Sequence, residues 1–65
     1  MKIWINQNLV QIEEGATLDQ ALEQFEAKPP YAVALNGVFI HRSSYGDQRM
    51  RPGDQVDIVQ PVAGG

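Results

Sequence analysis

Few side chains in this chain are equipped for covalent chemistry. There is no cysteine and one histidine, His41. A disulfide scaffold is excluded, and so is a structural metal held by cysteine and histidine. Arg42 follows His41, and Ser43-Ser44 come next. Neighbours in sequence do not make a Ser-His-Asp geometry, so His41 reads as a solvated loop residue. Glu13-Glu14 and the acids Asp19, Glu23 and Glu26 lack ligand spacing and read as a solvated, partner-facing surface. No side chain is assigned a catalytic or metal-binding role. The group that stands out is the carboxylate of Gly65, at the end of Pro61-Val62-Ala63-Gly64-Gly65. Glycine has no Cβ, so Gly64 and Gly65 permit close approach to another surface and unusual backbone angles. A terminal Gly-Gly alone is also what a polar end with no task would carry, so its weight depends on the fold that presents it.

The chain of 65 residues allows one domain with one modest core. Chains this short reach about 3–5 kcal/mol of net stability from their core. Without disulfide or metal, that stability has to come from regular elements packed closely. No stretch approaches the ~20 apolar residues that cross a bilayer, and Met1 to Asn6 lacks the apolar run of a signal peptide. A cytoplasmic protein without a membrane partner is expected. The formal net charge is −3, and the five basic residues are spread along the chain. That disfavours nucleic acid, which calls for a basic patch, and suits a partner with a basic docking surface.

The elements follow from periodicity. Met1 to Ile5 alternates, with Met1, Ile3 and Ile5 on one face and Lys2 and Trp4 on the other, which predicts a half-buried strand. Asn6-Gln7-Asn8 supplies turn chemistry, and Leu9 to Ile12 returns as a second strand ended by Gly15. The period then changes. Leu18, Ala21, Leu22 and Phe25 fall at i, i+3, i+4 and i+7, one face of a helix. Thr17 and Gln20 form a capping-box pattern at its start. Lys28 suits its C-terminal end, and Pro29-Pro30 prevents continuation. Tyr31 to Leu35 predicts a third strand, Asn36-Gly37 a type I′ hairpin turn, and Val38 to Ile40 a fourth strand. Residues 41–51 are mixed, and a short turn or small edge strand is expected there. Pro52-Gly53-Asp54 turns into a last strand, Gln55 to Gln60, with Val56 and Ile58 on one face. The tail from Pro61 extends a sheet poorly.

A hairpin, a crossing helix and further strands predict an α+β fold with the helix on one sheet face. The helix supplies the crossover that lets the first and last strands lie side by side in parallel. This is the ubiquitin-like β-grasp layout: a mixed sheet of four to five strands packed on one helix. Residues 1–60 are expected to form the domain and 61–65 a flexible tail. Trp4 and Val59 share the parity opposite to the helix. With the outer strands adjacent, they are expected to form an apolar patch on the open sheet face, close to the tail. Such patches often mark partner surfaces, and covering the sheet is the alternative use for Trp4. The facing of Phe39 is left open by parity.

Four features together resemble the ThiS family of sulfur carriers: the strand at the N-terminus, the Asn36-Gly37 hairpin, Pro52-Gly53-Asp54-Gln55-Val56 before the last strand, and the Gly64-Gly65 end. The likeness covers the whole chain. Arg42 fits the family's pattern after the hairpin and Tyr45 takes its aromatic place, whereas His41 stands where proline is common. The resemblance implies a carrier, not an enzyme. Its Gly65 carboxylate would be adenylated and converted to a thiocarboxylate that donates sulfur to the thiazole of thiamin. Val62, Ala63 and Gly64 would thread into the activating enzyme, and Trp4 and Val59 would dock on it. The implied partners are a ThiF-like adenylyltransferase that uses ATP, a sulfur-donating enzyme and a ThiG-like thiazole synthase; the carrier itself would bind no cofactor. A MoaD-like carrier for molybdopterin, a ubiquitin-like protein modifier and a plain binding module are the alternatives.

Overall fold

In the computed structural model, which describes residues 1–60, the chain runs β1 (Lys2–Ile5), β2 (Asn8–Gln11), α1 (Leu18–Gln24), β3 (Ala32–Leu35), β4 (Val38–Ile40), a 3₁₀ turn (Arg42–Ser44) and β5 (Gln55–Val59). The assignment of Val62 to Gly65 as a threading tail therefore falls outside the described residues. Two tight turns set the hairpins. Asn6 and Gln7 lie at φ 49° and 68°, and Asn36 and Gly37 at 51° and 83°. Positive φ at both central positions matches the right-handed twist of the strands they join.

The five strands make one sheet in the order β2-β1-β5-β3-β4. β5 lies between β1, which it parallels, and β3, to which it is antiparallel. Both side-by-side pairing of the outer strands and the mixed sheet follow the expected layout. Ile3 and Ile5 of β1, Val33 of β3 and Val56 of β5 point to one face and are buried against Leu18, Ala21 and Leu22 of α1. Ile58 packs on the edge of this core.

The helix starts as its cap predicts. Thr17 N–H donates to Gln20 Oε1 at 2.9 Å, and Gln20 N–H donates to Thr17 Oγ1 at 3.4 Å. The next two amides are satisfied at long range: Leu18 N–H donates to the Gln48 carbonyl at 2.7 Å and Asp19 N–H to the Tyr45 carbonyl at 3.1 Å. Residues 41–51 therefore do more than turn. They bury Tyr45 and Met50 in the core, and Arg49 bridges to Thr17.

The helix ends earlier than the Pro29-Pro30 stop requires. Glu26 takes a left-handed φ of 61°, with Glu26 N–H bonded to the Glu23 carbonyl and Ala27 N–H to the Leu22 carbonyl. This is a Schellman closure, with glutamate in the place glycine usually takes. Its consequence corrects two expectations. Lys28 lies beyond the last turn, which holds no basic residue. Phe25, expected on the buried stripe, is the C-cap and stays 37% exposed, because the backbone leaves the helix before its ring can be covered.

Candidate functional site

The sheet face away from α1 carries the side chains of alternate residues on each strand. Cross-strand register fixes its rows. Trp4 of β1 stands between Leu9 of β2 and Gln55 of β5. Asp57 of β5 faces Ala34 of β3, which faces Phe39 of β4. Val59 faces Ala32. Leu9, Trp4, Phe39 and Val59 are all exposed, so the open face is an apolar surface interrupted by Gln55 and Asp57. Trp4, Gln7, Gln55, Val56 and Asp57 border a shallow groove at its β1–β5 seam.

This arrangement corrects the expected patch. Trp4 and Val59 do share the open face, but Trp4 is in register with Gln55, at the opposite end of β5 from Val59. At about 3.3 Å per residue, four residues place the two roughly 13 Å apart along the strand. Trp4 pairs with Leu9 at one end, whereas Val59 adjoins Ala32 at the end where the chain leaves for residue 61. Phe39, whose facing parity left open, joins the face through its pairing with Ala34. The His41 ring lies edge-on to it at 5.4 Å between centroids. His41 is exposed, as a solvated loop residue should be.

Leu9 and Phe39 were absent from the candidate docking residues. A signal for Phe39 was present: a two-residue turn at Asn36-Gly37 forces Leu35 opposite Val38 and hence Ala34 opposite Phe39. On another side of the molecule, Tyr31 and Tyr45 stack at 6.3 Å beside Arg42, Asp19 and Pro29-Pro30. Burial pushes the Tyr45 phenol above its ordinary pKa, with Tyr31 adding to the effect and Arg42 opposing it. That hydroxyl therefore stays protonated at neutral pH, and Tyr45 is buried in the core cluster.

Two turns are locked behind β5. Asn36 Nδ2 donates to Asp54 Oδ1 at 3.0 Å, Gln55 N–H to Asn36 Oδ1 at 2.9 Å, and Arg51 N–H to Asp54 Oδ2 at 2.7 Å. The asparagine of the hairpin and the aspartate of Pro52-Gly53-Asp54 thus hold each other, and together they start β5 in register. Among the described residues no helix is long and apolar enough to cross a membrane.

Known proteins share this plan. The chain is 30% identical to the sulfur carrier protein ThiS of Escherichia coli (strain K12), over 66 aligned positions that cover all of both chains. The crystal structure of the thiamine biosynthesis protein ThiS from Geobacter metallireducens superimposes with a TM-score of 0.83 at 20% identity, again over the full length of both. That second likeness speaks for the β-grasp fold. The ThiS family profile matches residues 3–65, the tail included, and the chain belongs to the ThiS family.

Proposed function

We propose that this chain is a sulfur carrier for thiamin biosynthesis whose working group is the Gly65 carboxylate. The observation that carries the reading is the family match through residue 65, with 30% identity over the full length to a protein named as a sulfur carrier. The geometry supports it in kind: β5 is the central, doubly paired strand, and it runs directly toward the tail.

A carboxylate is a poor electrophile and has to be activated first. A ThiF-like adenylyltransferase supplies ATP; a Gly65 oxygen attacks the α-phosphorus, pyrophosphate leaves, and an acyl adenylate forms. Sulfide-level sulfur delivered by a donor enzyme then attacks the carbonyl carbon, the C–O bond to the phosphate breaks, AMP leaves, and the resulting thiocarboxylate is consumed by a ThiG-like thiazole synthase. The chain contributes presentation. Five residues can reach at most roughly 17 Å at ~3.3–3.6 Å each, enough for the carboxylate to enter a site closed to water while the apolar face docks outside. Gly64 lets the backbone pass where a Cβ would collide.

The test is ATP–pyrophosphate exchange with the cognate activating enzyme. Removing Gly65 retracts the carboxylate by about 3.5 Å, and misplacement by even ~1 Å can cost on the order of a hundredfold in rate. Gly64→Val keeps the length and adds a branched Cβ. Both variants should lose exchange while keeping the parent's circular dichroism and urea midpoint. Exchange at the parent rate by the deletion variant would end the carrier reading.

A further inference from the structure

The strand that leads to the tail outruns its parallel neighbour. β1 ends at Ile5, in register with Val56, and the backbone turns away at Asn6 and Gln7. Up to that point the β1–β5 ladder is regular: Trp4 N–H donates to the Asp54 carbonyl at 2.8 Å and Asn6 N–H to the Val56 carbonyl at 2.9 Å. In a parallel ladder the next β5 amide facing β1 is that of Ile58, and its partner should be a backbone carbonyl one step further along β1. The Asn6 side chain stands in for it: Ile58 N–H donates to Asn6 Oδ1 at 2.8 Å. A short amide side chain on a left-handed residue folds back to where the strand would have continued. Two residues on, Gln60 Nε2 donates to the Lys28 carbonyl at 2.7 Å, tying the last described residue to the segment after α1. β3 holds the opposite edge of β5 through Ala32 and Val59.

We propose that Asn6 is a positioning residue for the carrier reaction. Its amide replaces the missing rung of the ladder and, with the Gln60 clasp, fixes the place and direction of the chain up to Gln60, the residue before the tail. The proposal rests on the carrier reading, because it gives the fixed exit a purpose. Productive sites tolerate only ~0.5 Å and 10–20° of misplacement, so the strand that delivers the carboxylate has to end at a fixed place. The apolar face lies on other side chains, so loss of the clasp should act on the rate from the bound state and not on docking.

The substitutions follow from the φ of 49° at Asn6. Asn6→Gly keeps the turn without strain and removes the acceptor. Asn6→Asp tolerates the same backbone and restores an oxygen acceptor. Steady-state adenylation should show kcat about tenfold lower in Asn6→Gly with KM within about twofold of the parent, and kcat recovered in Asn6→Asp. Hydrogen exchange at the Ile58 amide should speed up in the glycine variant and slow again in the aspartate variant. Circular dichroism establishes that both are folded at the assay temperature. Parent kcat in Asn6→Gly, or a change confined to KM, would overturn the proposal, as would low kcat in Asn6→Asp with Ile58 protected. Absence of adenylation in the parent would instead bring down the carrier reading and the proposed purpose with it, and Ile58 exchange would still report whether the clasp exists.

Discussion

Trp4→Lys probes whether the open face is the docking surface. Trp4 retains 39% of its surface exposed. A tryptophan has up to ~250 Å² to bury, so covering the rest removes about 100 Å² from water, near 2.5 kcal/mol at ~25 cal/mol per Å². Desolvating the flanking Gln55 and Asp57 offsets part of this. The residual, about 2 kcal/mol, is the size of an interface anchor and corresponds to roughly thirtyfold in Kd. The substituted side chain points away from the core lined by Ile3 and Ile5, so the fold should persist. The assay is isothermal titration of the activating enzyme with parent and variant, alongside urea unfolding of each. Phe39→Lys, on the far side of the face at 60% exposure, gauges how far the footprint reaches. A Kd within twofold of the parent for Trp4→Lys, paired with a lower urea midpoint, would refute the reasoning and make Trp4 a cover for the β1–β2 side of the sheet.

The remaining predictions concern stability. Leu22, 2% exposed in the helix–sheet core, should cost ~2–5 kcal/mol as Leu22→Ala, enough to leave a chain of this size largely unfolded; an unchanged urea midpoint would contradict the packing described. Glu26→Gly relieves a left-handed residue at the helix C-terminus, a strain of about 1–2 kcal/mol, against a loss of ~0.4–1 kcal/mol through the unfolded chain. A modest rise in thermal midpoint is expected, and a fall would contradict the closure. The Tyr45 pKa is raised above its ordinary value of 10.0, so the folded state holds the phenol proton more tightly than the unfolded chain does. The corresponding stability is fully present below pH ~10 and is lost as pH climbs through the raised value. Tyr45→Phe should flatten that alkaline decline in urea midpoint, and an unchanged decline would assign it elsewhere.

Local chemistry made much of the fold legible. Period-two strands, the Thr17–Gln20 box and the Asn36-Gly37 turn depend on neighbours within a few residues, and each forms as its residues dictate. Phe25 shows the limit: helical spacing continues through it, but the left-handed Glu26 ends the helix first, and no proline or glycine marks that point. Tyr45 and Met50 show another. They are buried in a stretch with no period at all, because their backbone partners, Asp19 and Ala16, lie far back in sequence. At the site, parity correctly put Trp4 and Val59 on one face. It could not give their separation, which depends on the parallel register of β1 against β5. Asn6 read as a turn residue; its second role, standing in for a strand, exists only once β5 lies beside it.

The claim at the centre of the account is that sulfur rides on Gly65. It is tested most directly by intact mass after incubation with the activating enzyme, ATP and a sulfur donor, followed by fragmentation to locate the change. The account predicts a mass gain equal to sulfur replacing one oxygen, confined to the C-terminal fragment and lost when ATP is withheld. An unchanged mass under conditions that load another member of the family, or an added protein mass in place of sulfur, would contradict it.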